Sequence, residues 1–221
     1  MDDARILDRK VGLVLESLDR QNLAYHTLVI CTTDHGIAFP GMKCNLTCHG
    51  TGVLLLMRGL GGFTGGNVTD ALVSHIDLYP TICELVGIAP PDWLEGKSLM
   101  PIVRGEREEV NDYIFAEVNY HGSAEPMRSV RTKRYNYIRR FSERRTAVRP
   151  HIDDSPSKQF WIEQGWTDRT VDQEALYDCT FDPLEMHNIG GEQRVADVLA
   201  DMRQQLDAWM HRTNDPLRRV A

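Results

Sequence analysis

Residues 27–36, TLVICTTDHG, decide the reading of the chain. Thr27 to Thr33 form a short apolar and β-branched run, the composition of a buried strand, and the run ends at Asp34-His35-Gly36. In an α/β sheet the C-terminal end of a strand is where polar residues are delivered for chemistry. Upstream, DDARILDRKVGLVLESLDRQ (2–21) places Leu7, Val11, Leu15 and Leu18 at steps of four, four and three, an amphipathic helix opened by acids that suit its positive end. Downstream, GIAFPGMKCNLTCHGTG (36–52) is a loop punctuated by glycine and proline, VLLLM (53–57) a second buried strand, and Asp70 to Val86 a helix that Pro80 breaks or restarts. Helices flanking one sheet are the expected α/β architecture.

The texture changes after Pro90. PPDWLEGKSLMPIVRGEREE (90–109) reads as a linker with one short helix, and YIFAEVNY (113–120) and MRSVRTKRYNYIRR (127–140) read as antiparallel strands. ALYDCTFDPLEMHNI (175–189) adds a strand and turn, and Val195, Leu199, Met202, Leu206 and Trp209 or Met210 keep helical spacing. The chain therefore divides into residues 1–105, part of an α/β domain, and residues 106–221, a smaller α+β subdomain with an antiparallel sheet.

Composition bounds the function. The chain has 221 residues, 42% hydrophobic and 26% charged, enough for a sizeable core. A formal charge of −7 argues against broad attraction to nucleic acid or an anionic membrane, so any anion site must be local. There is no spanning-length apolar stretch and no basic-then-apolar leader pattern in MDDARILDRK. The compartment stays open. Five irregularly spaced cysteines do not form the framework of a disulfide-stapled domain, and Cys44 and Cys48 lack the second pair that a zinc site needs.

The candidate chemistry gathers in the first loop. Asp34 and His35 offer a carboxylate and an imidazole to one cation or oxyanion, although Asp before Gly also opens loops structurally. Lys43, nine residues on, offers an ammonium to an anion, and His49 a proton to a leaving group. His75 and Asp77 read as packing and capping groups. The basic run from Arg128 to Arg140 reads as a solvated strand face, with Arg128 singled out because it follows the turn from His121 to Pro126.

The order of these blocks resembles the sulfatase family of the alkaline-phosphatase-like superfamily: TLVICTTDHG, a basic residue in the next loop, SHIDLYPTICELVGIAPP (74–91) and GKSLMPIVRG (96–105). DHGIAFPGMKCN (34–45), EPMRSVRTKRYNYI (125–138) and DMRQQLDAWMHRTNDP (201–216) resemble its sulfamidase, or heparan N-sulfatase, branch. The resemblance covers nearly the whole chain and implies the C-terminal part of an alkaline-phosphatase-like sandwich. It implies hydrolysis of a sulfate ester or sulfamate on a sulfated sugar, with a formylglycine nucleophile beside a calcium ion or another divalent cation. It further implies that Asp34 and His35 are metal ligands, that Lys43 contacts the sulfate and the nucleophile, and that His49 and His121 line the sugar pocket; Arg128, from its place after the turn, is expected to bind substrate as well.

Two departures stand out: the sulfamidase branch carries asparagine where His35 stands and arginine where Lys43 stands. No cysteine here is followed two residues later by proline, so the family's Cys/Ser-x-Pro-x-Arg motif has no cysteine match. The chain alone is therefore expected to be inactive and to dimerise or pair with a missing N-terminal half. The competing expectations are a phosphodiesterase or phosphonate hydrolase of the same superfamily, and a non-catalytic module that binds sulfated glycans through the basic run.

Overall fold

The structure is a computed structural model that describes residues 2–219. Its elements run α1 (Asp2–Arg20), β1 (Val29–Thr32), α2 (Cys48–Thr51), β2 (Leu55–Arg58), α3 (Leu78–Val86), α4 (Met100–Val103), β3 (Ile114–Tyr120), β4 (Ala124–Arg131), β5 (Tyr135–Arg140), α5 (Pro156–Glu163), β6 (Glu174–Asp178) and α6 (Ala196–Arg212). They fall into two compact units. The first holds the chain through Thr32, Leu54–Asp70 and Ser74–Val110; the second holds Thr33–Val53, Ala71–Val73 and the chain from Asn111 onward.

In the first unit β1 and β2 form an antiparallel ribbon with Val29 opposite Arg58 and Thr32 opposite Leu55. α1 lays Leu15 and Leu18 beside Val29 and the stem of Arg58. The two strands are not buried on both faces, as the sequence led us to expect. Leu54 and Leu56 are about half exposed, because a two-stranded ribbon under one helix has a single covered face. Leu7 and Val14 of α1 are also largely exposed.

The helix expected from Asp70 begins later. Ser74 N–H donates to Asp77 Oδ2 at 2.9 Å in a capping box, a 3-10 turn covers His75–Asp77, and α3 follows. Pro80 then falls in the first turn of α3, where its missing N–H leaves no intrahelical bond unmade. Asp77, 1% exposed, also accepts the Lys97 N–H at 2.8 Å, while Thr81 donates to the Asp77 carbonyl at 2.6 Å and accepts the Leu99 N–H at 2.8 Å. The blocks HIDLYPT and GKSL are thus two halves of one hydrogen-bonded joint.

The second unit is an antiparallel sheet in the order β3-β4-β5-β6. Alternation sorts its residues: Val130, Tyr137 and Leu176 join Met202, Leu206 and Met210 of α6 in one core, with Trp209 stacked on Phe115 at 5.0 Å. Each such aliphatic side chain contributes roughly 1.5 to 3 kcal/mol on full burial. Met127 and Ile138 face the other way and pack on Leu46, which comes from the loop between β1 and β2.

Candidate functional site

The loop from Thr33 to Val53 is closed and anchored. Gly36 N–H donates to the Gly50 carbonyl at 2.9 Å, and a Cβ on Gly36 would stand 1.9 Å from the His49 carbonyl oxygen. Only glycine allows the backbones that close. Leu46 plugs the sheet, and its carbonyl accepts Asn136 Nδ2 at 3.0 Å. Buried Glu185 completes the anchor, accepting Cys48 N–H at 3.2 Å, Asn136 Nδ2 at 2.7 Å and Arg131 Nη1 at 2.5 Å. Burial, with Glu185 close by, pushes the Cys48 thiol up to about 11, and burial takes Cys179 to about 12. These are protonated, unreactive thiols at neutral pH.

Asp34 and His35 stand at the mouth of this loop. Asp34 Oδ1 accepts the His35 N–H at 3.1 Å, and His35 Nδ1 lies 2.6 Å from the Gly36 carbonyl oxygen. A carbonyl can only accept, so Nδ1 carries the proton and Nε2 keeps its lone pair. Nε2 stands 3.7 Å from Asp34 Oδ2. Two atoms bound at right angles to one cation, each at about 2.3 to 2.6 Å, lie roughly 3.3 to 3.7 Å apart, so the pair fits two positions on a single ion. The donor set is mixed oxygen and nitrogen. Among the described residues no group of three His, Cys, Asp or Glu is arranged to hold a metal ion. Lys43 and His49 are half-buried on the same loop.

A second cluster surrounds the turn that carries His121. Glu125, 7% exposed, takes Arg140 Nη1 on Oε1 at 2.6 Å, and its Oε2 lies 3.0 Å from Nε2 of His151, itself 3% exposed. That last approach lacks hydrogen-bond alignment. Gly122 N–H donates to His151 Nδ1 at 3.3 Å, which fixes the proton of the neutral ring on Nε2, facing Glu125. The His121 and His151 rings are 6.0 Å apart. Burial holds His151 below its ordinary value, and the charges of His121, Arg144 and Lys43 act in the same direction. Burial also raises Glu125, opposed by Arg140 and Arg144. Glu125, His151, Arg144 and Glu185 were not singled out from the sequence; Glu125 opens the block EPMRSV but carries no local signal of its own.

The sulfatase family model matches residues 2–88, and the model of the C-terminal part of N-sulphoglucosamine sulphohydrolase matches residues 49–156. Together these two matches run from residue 2 to residue 156 and mark a chain similar to sulfatases. It is similar to the N-sulphoglucosamine sulphohydrolase of Homo sapiens, 29% identical over 243 residues that cover 95% of this chain and 46% of that protein. It is also similar to an ulvan-active sulfatase of Formosa agariphila, 28% identical over 200 residues, covering 88% of this chain and 39% of that protein. A solved 2-O GAG sulfatase superposes with a TM-score of 0.75 at 26% identity, over 97% of this chain and 42% of that one. The chain spans less than half the length of these relatives, and the α/β fold expected from the sequence is the sulfatase one.

Arg128 does not sit where the sequence reading placed it. Arg128, expected to bind substrate, is 0% exposed: Nε and Nη2 donate to Asp215 at 2.5 and 3.2 Å, and Nη1 to the Val118 and Met127 carbonyls at 3.2 and 2.8 Å. Its donors are committed inside the protein. Other arginines of the basic run are ion-paired as well, Arg131 on Glu185 and Arg140 on Glu125 with mostly covered side chains, Arg139 on exposed Asp207, and Arg134 on Asp178 while itself half exposed. A strand face of free cations for glycan binding is therefore absent from these positions. No helix among the described residues is long and apolar enough to cross a membrane.

Proposed function

We propose that this chain supplies the C-terminal share of a metal-dependent sulfatase that acts on sulfated sugars. The observation that carries the reading is the 3.7 Å approach of Asp34 Oδ2 and His35 Nε2 at the mouth of a loop that also bears Lys43 and His49. Asp34 and His35 are two of a divalent cation's ligands. Calcium is the ion the family implies, and the imidazole nitrogen widens the choice toward ions that accept nitrogen. When bound, a divalent cation here offsets negative charge on the sulfuryl oxygens.

The remaining roles belong to the chain's own side chains. Lys43 donates from its ammonium to a sulfate oxygen, held in position by the Gly36–Gly50 closure. His49 hands a proton to the departing sugar oxygen or nitrogen, and His121 lines the sugar. No cysteine of this chain stands in the family's nucleophile motif, so the nucleophile and the other metal ligands come from the segment that precedes this region in the relatives.

The test is calorimetric titration of calcium into the chain, alone and mixed with that preceding segment, with sulfatase activity measured on each sample. Tight binding and turnover only in the mixture support the shared site. Turnover by the chain alone, or undiminished binding by an Asp34→Ala mixture, overturns it.

A further inference from the structure

A cavity of about 520 Å³ opens in the second unit between the site loop and α5. Phe39 and Met42 of the loop supply one wall, and Pro156, Ser157, Phe160 and Trp161 of α5 supply the other. Local geometry builds both. Met42 N–H donates to the Phe39 carbonyl at 3.0 Å in a turn that brings these two residues together, and Asn45 Nδ2 donates to the Gly41 carbonyl at 3.1 Å. On α5, Pro156 and Phe160 are four residues apart, as are Ser157 and Trp161, so the four form two adjacent rows on one face. Ser155 Oγ caps the helix by accepting Lys158 N–H at 3.1 Å, and Lys158 Nζ ties its first turn to the Ile152 carbonyl at 2.6 Å. The guanidinium of Arg169 lies over the Trp161 ring, 5.8 Å from its centre, and steadies the indole.

The lining combines exposure with neutrality. Phe39 and Phe160 are 40% and 58% exposed. Single exposed apolar residues are ordinary, but three aromatic rings and a methionine around one opening mark a binding surface. The volume falls within the roughly 300 to 1,000 Å³ of small-molecule sites. None of the six lining side chains is charged, and Ser157 alone carries a hydroxyl. An anion therefore gains nothing here. A ring with an apolar C–H face and a rim of hydroxyls matches both the aromatic planes and the serine. Position narrows the occupant further. Lys43 follows Met42 directly, so its Cα stands about 3.8 Å from that of a wall residue, on the loop that also carries Asp34 and His35.

We propose that this cavity is a second saccharide subsite, taking the face of an uncharged, unsulfated pyranose next to the sulfated sugar and so selecting oligosaccharides over monosaccharides. This rests on the reading of Asp34, His35 and Lys43 given above. Phe39, Phe160 and Trp161 pack on the C–H face, and Ser157 shares a hydrogen bond with a ring hydroxyl. These are specificity residues and take no part in bond breaking.

The experiment is calorimetric binding to the chain mixed with the preceding segment. Three ligands carry one sulfate each: a monosaccharide, a trisaccharide that extends it by two uncharged sugars, and a planar aryl sulfate. Phe39→Ala and Phe160→Ala, from the two walls, are each expected to weaken the trisaccharide by about tenfold and the monosaccharide by less than about twofold. Trp161→Phe should lose less than Trp161→Ala. Phe181→Ala, which removes an 81% exposed ring elsewhere, should change neither affinity. Equal losses on the monosaccharide and the trisaccharide, or a trisaccharide that binds the parent no better than the monosaccharide, overturn the subsite and leave the Lys43 reading intact. An aryl sulfate that loses as much as the trisaccharide overturns the sugar as occupant. Weaker assembly of the variants with the preceding segment, at unchanged saccharide affinity, makes the cavity an interface between the two parts and overturns the subsite as well. Failure of the unaltered protein to bind any of the three ligands overturns the subsite and the Lys43 reading together.

Discussion

Arg128 and Asp215 grip each other inside the second unit, Nε to Oδ2 at 2.5 Å and Nη2 to Oδ1 at 3.2 Å, with 1% and 2% of their side-chain surfaces exposed. The pair ties the middle of β4 to the residues after α6. Removing Asp215 strips the buried guanidinium of its two hydrogen bonds to a carboxylate and leaves it only half-exposed Glu117 at 3.4 Å, so Asp215→Ala should cost about 3 kcal/mol in urea unfolding. Replacing both with apolar residues of similar volume should recover much of that loss.

The same pair has a pH signature. Burial raises Asp215, but the hydrogen bonds from Arg128 and the Leu217 N–H, with the charge of Arg128, outweigh it and hold the carboxyl below its ordinary 3.8. A depressed carboxyl stabilises fully above the unfolded value and loses that contribution as pH falls through the folded one. Unfolding midpoints measured from pH 5 downward should drop more steeply in the parent chain than in the double apolar variant; parallel curves would refute the coupling.

Gly36→Ala tests the loop closure. Its Cβ would meet the His49 carbonyl oxygen at 1.9 Å, so the loop must open or shift. We expect faster amide exchange at Gly36 and across residues 42–50, weaker metal uptake by the complemented protein, and little change in the exchange of α6. An unaltered exchange pattern would show that the closure does not hold the loop.

His35→Asn tests the mixed donor set. Replacing the imidazole nitrogen with an amide oxygen should shift binding toward calcium and away from zinc in paired calorimetric titrations of the complemented protein. A variant with the same preference as the parent would place His35 outside the ion's reach.

His151 sets a stability slope near neutrality. Its folded value lies below the ordinary 6.5, so the unfolded chain binds the extra proton and stability falls as pH drops from 6.5 toward the folded value. Protonation also puts a hydrogen on Nδ1, which then cannot accept from Gly122. His151→Gln should flatten the slope, and the protection of the Gly122 amide, taken relative to its intrinsic exchange rate, should fall with acidification in the parent alone. Glu125 is raised above 4.5 and works in the opposite sense just above that pH, so the comparison is best made in a Glu125→Gln background.

Much of this was legible in the order of residues. The 3.6-residue spacing of Val195, Leu199, Met202 and Leu206 and the alternation in β4 and β5 come from local geometry, and the structure keeps them. So does the site loop, because Gly36, Lys43 and Gly50 lie within fifteen residues of one another. What could not be read is pairing across the chain. Arg128 finds Asp215 eighty-seven residues away, and Glu125 finds His151 only once the 121–123 turn folds over Pro150. A run of arginines looks the same whether its partners are water or buried carboxylates. The start of α3 was misjudged for a local reason, since the Ser74 cap competes with helix from Asp70 onward.

The inward ion pairs also decide where the chain can be cut. Arg128, Arg131, Arg139 and Arg140 lie in strands bonded on both sides, where a protease specific for basic residues cannot draw out the backbone, whereas Arg144 and Arg145 lie beyond the end of β5. A nick there separates β5 from β6 in sequence but not in space, since Tyr135 through Arg139 stay laddered to Asp178 through Glu174. The second unit should therefore survive as two fragments that elute together and unfold in one transition.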